Sequence, residues 1–133
     1  MGSGLPSMMV AIAFLVASEH AQAATLARDL LNDCQSLERG KRGTEQYIQI
    51  PKTRKALLCW GYMQAMQDLS VLADEEGHRI MGACAPEQTM TLQLIHSFVR
   101  YARAHGGELQ GNAVVAVFRA LREAYPCRAK HGD

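Results

Sequence analysis

Four cysteines, Cys34, Cys59, Cys84 and Cys127, all follow an apolar N-terminal stretch, and together these two features constrain the fold most. The stretch "MMVAIAFLVA" (residues 8–17) is too short to cross a bilayer but has the length of a signal-peptide core. Ala21-Gln22-Ala23 then supplies an A-x-A cleavage site, so residues 1–23 read as a signal peptide, although no Lys or Arg precedes the apolar run. The competing reading is a buried N-terminal helix. An even cysteine count behind an export signal implies two disulfides in an oxidising compartment. The spacings of 25, 25 and 43 residues, with no C-x-x-C, do not resemble a zinc site.

With residues 1–23 removed, residues 24–133 form one domain of modest size. A chain of that length buries only about 65 % of its surface on folding and gains from cross-links. Hydrophobic residues at 48 % against 20 % charged exclude a disordered chain. The formal charge of +1, with basic residues dispersed, argues against nucleic acid or anionic lipid as a partner.

The periodicity predicts an all-α bundle of four main helices. The first covers residues 25–37, with Thr25 as N-cap and Leu26, Leu30, Cys34 and Leu37 at helical spacing. Two glycines and Pro51 make residues 38–51 a loop, in which "YIQI" alternates as a short extended piece. The second helix covers residues 53–73, with a stripe of Cys59, Met63, Met66 and Ser70 flanked by Tyr62, Leu69 and Ala73. Gly77 is its expected stop, which sets Asp74, Glu75 and Glu76 against the helix dipole. The third runs from Pro86 at its first position to residue 105. Its wide stripe of Leu92, Leu94, Ile95, Phe98, Val99, Tyr101 and Ala102 marks a central helix ended by Gly106-Gly107. The fourth follows Asn112 as N-cap, with Val114, Val117, Phe118, Leu121 and Tyr125 in register, and ends at Pro126. A frayed tail follows.

No catalytic constellation emerges. There is no G-x-S-x-G, no Gly-rich loop behind a strand and no H-E-x-x-H, and oxidised cysteines cannot act as nucleophiles. Neither a metal nor a cofactor is expected. His96 reads as a rim or core histidine and His105 as a complement to a helix C-terminus. Met63, Met66, Met81 and Met90 suit core positions better than an adaptable groove. Within "CWGY", Gly61 forgoes about 1 kcal/mol of helix propensity, which suggests close approach of another helix or of a cystine. Trp60 and Tyr62 point to different sides, one inward and one to the rim.

The order of motifs is similar to one family. Cys59-x-Gly61-Tyr62 is followed by Asp68, then Cys84-x-Pro86 with Gln93, Tyr101 and His105. Ala120-Leu121-x-x-Ala124-Tyr125-Pro126-Cys127 closes the chain. This set resembles the Rap/Tai immunity proteins over about residues 30–127. The sequence departs from their pattern at Ala65, at "HGGE" (residues 105–108) and at Gln110, where the family carries Gly, His-Pro-Glu and His.

The resemblance implies a periplasmic, non-enzymatic binding protein that neutralises a type VI secreted peptidoglycan amidase, and it implies a homodimer. Contacts with a partner are expected from Asp74, Glu75, Glu76, His78 and Arg79 on one loop and His105, Glu108 and Gln110 on another, where polar groups sit on exposed backbone. The likeness of that family to Hde-type acid-stress chaperones implies Cys59–Cys84 with Cys34–Cys127, and this is the pairing expected. A simple up-down bundle would instead join Cys34 to Cys59 and Cys84 to Cys127. The alternative functions are an Hde-type stress chaperone and a structural helical module with no toxin partner.

Overall fold

A computed structural model of the chain describes residues 25–38 and 50–128. The expected signal peptide, most of the loop at residues 38–51 with all of its "YIQI" piece but Ile50, and the end of the tail lie outside these residues. The described residues form four α-helices: α1 (Ala27–Glu38), α2 (Arg54–Ser70), α3 (Thr91–Ala104) and α4 (Ala113–Ala124), with a 3₁₀ turn (Gly106–Glu108) before α4. The only β-pairing among them is three isolated bridges. None of these helices is long and apolar enough to cross a membrane.

The wide apolar stripe of α3 makes it central, as expected. Ile95, Phe98 and Val99 are completely buried and Leu94 nearly so, and α3 packs against α1, α2 and α4. Each such side chain contributes about 1.5–3 kcal/mol on burial. Leu30, Cys34 and Leu37 of α1, Met63 and Met66 of α2, and Val117 and Leu121 of α4 complete the core.

Several helix ends differ from expectation, each for a local reason. α3 begins at Thr91 rather than Pro86, because the Thr89 amide closes a turn onto the Pro86 carbonyl. The side chain of Gln93 then accepts the Met90 amide at 2.8 Å, which fixes the start. α2 starts where expected, with Thr53 Oγ1 capping the Ala56 amide, but stops at Ser70. Thr25 is not the N-cap of α1. The first amides of α1 are capped from outside the helix: Ala27 donates to Gly111 O at 2.9 Å and Arg28 to Leu109 O at 3.0 Å. Asn112 caps α4 as expected, its side chain accepting the Val114 amide. Val114 itself is exposed, and Ala113, Ala116 and Ala120 line the buried face instead.

The disulfides are Cys34–Cys59 and Cys84–Cys127, which overturns the pairing implied by the Hde likeness and matches the simple bundle. Cys59 lies on the buried stripe of α2 that faces α1. Cys84 lies beside the end of α4, where its amide donates to Tyr125 O and Ala83 bridges Pro126. In the chain-entropy picture, loops of this size contribute about 3.5 and about 4 kcal/mol.

Arg122 adds a second latch at this point, donating from Nε to Met81 O at 2.6 Å. Gly82 accommodates that latch. Its φ is +67°, and an added Cβ would meet Arg122 Nε at 2.9 Å.

Candidate functional site

After α2 the chain folds back on itself. The Ile80 amide donates to Leu72 O at 3.0 Å, Ala73 bridges Arg79, and the Asp74 amide donates to His78 O at 2.9 Å. Gly77, at φ +83°, serves this tight turn and not the end of α2. The guanidinium of Arg79 donates to Val71 O, satisfying a terminal carbonyl of α2. Asp74, Glu75 and Glu76 are therefore the tip of a small hairpin, and the expected clash with the helix dipole does not arise.

Asp74 organises that tip. Its Oδ1 accepts the His78 amide at 2.7 Å and its Oδ2 lies 3.2 Å from His78 Nδ1. The backbone hydrogen bond from His78 holds its carboxyl below the usual range, with the His78 ring adding to the effect. Glu75, Glu76 and His78 are solvent-exposed around it, and Arg79 is half-buried. Asp74, Glu76 and His78 bring ligand-type atoms within 4.8 Å of one another, a spacing a metal ion could use. Both Asp74 oxygens, however, already serve His78.

The second loop is bound into the fold. Tyr101 Oη donates to Glu108 Oε2 at 2.9 Å, and Arg119 Nη1 reaches the same oxygen at 2.9 Å. The Arg119 bond, followed by that of Tyr101, lowers the Glu108 carboxyl. Burial, reinforced by Glu108, raises the Tyr101 phenol. His105 stacks on Tyr101 with ring centroids 4.0 Å apart, and its Nδ1 lies 2.9 Å from Tyr101 O. This turn supplies the Leu109 and Gly111 carbonyls that cap α1. Of the residues expected to contact a partner here, His105 and Glu108 hold the fold, and Gln110 is exposed.

Other expectations change as well. Trp60 and Tyr62 are both partly buried against the core, so neither is the purely outward one. Gly61 is exposed, and a Cβ there would meet nothing within 4 Å, which removes the expected close approach. His96 is exposed, on the rim and not in the core; Met63, Met66 and Met81 are buried as expected, whereas Met90 is open to solvent.

The family model of Rap1a immunity proteins matches residues 26–127. The chain belongs to the Rap1a immunity protein family. No curated protein and no solved structure shows a match. The Rap1a match runs from just before α1 to the last cysteine, so it takes in both disulfides and both loops. Arg122, Arg119 and the α1-capping carbonyls were not singled out from the sequence. A lone arginine on a helix face carries no local signal of a bond to a carbonyl forty residues away.

Proposed function

We propose that this Rap1a-family protein is a periplasmic inhibitor that binds and neutralises a type VI secreted peptidoglycan amidase, with the acidic hairpin at residues 71–80 as its primary contact. The observation that carries the reading is the contrast in wiring. The hairpin is held by bonds within itself and to the end of α2, leaving the Glu75 and Glu76 carboxylates free of structural duty. A compact, exposed acidic tip is suited to a cationic cleft, and charge complementarity accelerates encounter and selects partners. Export of the chain is supported by the signal-like residues 1–23 and by the two disulfides.

Titration of a peptidoglycan amidase from the same organism with the oxidised domain (residues 24–133) tests the reading. Stoichiometric loss of hydrolysis is expected. An amidase set that remains fully active in excess protein would overturn it. A chaperone would instead show itself by suppressing client aggregation only below about pH 4, where carboxylates protonate.

A homodimer belongs to the same proposal, supported by the outer face of α2. Leu57, Leu58 and Leu69 are 56 %, 51 % and 43 % exposed there, around the uncrowded Gly61, and an apolar patch of this kind marks an interaction surface. Sedimentation equilibrium of the oxidised domain decides this, with a strictly monomeric chain at high concentration as the contrary result.

A further inference from the structure

Trp60, Gln64 and Asp68 follow one another at one-turn intervals along α2. With Gln67, Met90 and Thr91 they line an open groove of about 410 Å³. The wall between α2 and α3 is fixed before anything binds: Gln67 Nε2 donates to Thr89 O at 2.8 Å, and Gln67 Oε1 accepts from Thr91 Oγ1 at 2.6 Å. Trp60, the only tryptophan of the chain, is packed partly against the core and partly against this groove. Met90 occupies the N-cap of α3, where Ser, Thr, Asp or Asn would normally serve. It is 44 % exposed, and the capping at its amide comes from Gln93. Asp68 is an exposed carboxylate with no ion-pair partner among the described residues.

The fold accounts for the buried side of Trp60 but not for its groove-facing side, nor for the exposed Met90 and Asp68. The groove thus combines an aromatic surface, a thioether, a free carboxylate and a carboxamide, with no cation among its lining residues. An anion would face Asp68 unpaired. A purely apolar side chain would strip water from Asp68 and Gln64 without replacing their hydrogen bonds. A guanidinium satisfies the whole set, because its flat face stacks on an indole while its edge donates to carboxylate and amide oxygens. Gln67 also lines a small cavity beside Val71 and Arg79, so the groove lies next to the base of the acidic hairpin.

We infer that this groove receives an arginine side chain of the effector, lying beside the segment that the hairpin engages. The inference rests on the inhibitory reading for the source of that arginine, but the groove can be tested without any effector. The probe is the blocked tripeptide acetyl-Gly-Arg-Gly-amide, titrated into the oxidised domain. Tryptophan fluorescence then reports on this site alone, and amide and indole NMR shifts locate the contact. A saturable response is expected, centred on the Trp60 indole and the Gln64 and Gln67 side-chain amides. Asp68→Asn should weaken it about two- to fivefold, as should the corresponding lysine peptide, which lacks the planar face.

No saturable response, shifts confined to the hairpin, or an undiminished response in Asp68→Asn would overturn the site. Equal binding of the lysine peptide would overturn its assignment to arginine. Failure of any of these leaves amidase inhibition untouched. Amidases that all stay fully active, in turn, leave the groove result standing and remove only the source of the arginine.

Discussion

The hairpin at residues 71–80 and the turn at residues 105–111 are both short, polar and exposed in part, yet they differ in what depends on them. The turn closes a circuit: Glu108 is bound by Tyr101 from α3 and Arg119 from α4, and the carbonyls it presents cap α1. Its polar residues are committed to the fold. The hairpin closes only on itself and on the last carbonyls of α2, so its acidic groups can be changed without unravelling a helix. Polar residues on a loop indicate function only after the fold's own claims on them have been subtracted.

This difference can be broken most forcefully at the cystine beyond the hairpin. Replacing Cys84 and Cys127 together by Ala should remove about 4 kcal/mol in denaturant unfolding. The same pair should leave the Tyr101–Glu108–Arg119 circuit recognisable by NMR. A smaller loss, about 1 kcal/mol, is expected for Tyr101→Phe, which deletes one arm of that circuit and keeps the ring. Gly61→Ala has the opposite sign. Because a Cβ at Gly61 meets open space, the substitution should raise stability by about 1 kcal/mol, measured where the protein is monomeric.

These effects also show how far the sequence could be read. Four helices, the central place of α3 and the cap at Asn112 were legible because each is written in local periodicity or in a residue next to the helix. The start of α3 was not, since Pro86 looks like a first helical residue whereas a turn and the Gln93 side chain set the boundary five residues on. The end of α2 was misplaced because the group that satisfies Val71 O is Arg79, across the hairpin. The disulfides were misassigned by following the likeness to Hde-type proteins rather than helix adjacency. At the site, the hairpin's acidic residues were legible as out of place in a helix. The structural duty of Glu108 was not, because it is imposed by Arg119 eleven residues away.

Acid should separate the two loops as well. The Glu108 carboxyl is held below its ordinary value, first by Arg119 and then by Tyr101, so its contribution is present at neutral pH. It is lost as pH falls from the ordinary glutamate range, about 4, through the lowered folded value. Glu108→Gln should flatten that part of the stability–pH curve. Asp74 is lowered in the same direction through His78, but its protonation should loosen only the hairpin, seen as faster amide exchange at His78 with the global transition unchanged. The smallest effect belongs to the tip: Glu75→Lys with Glu76→Lys should shift unfolding by no more than about 0.5 kcal/mol.

That double reversal also supplies the most direct measurement, the association rate of one amidase with the wild-type domain, with Glu75→Lys/Glu76→Lys and with Gln110→Ala. The contrast between the loops predicts association slowed about tenfold or more by the hairpin reversal at low salt, and unchanged by Gln110→Ala. Equal rates for wild type and the hairpin reversal, or a loss confined to Gln110→Ala, would contradict it.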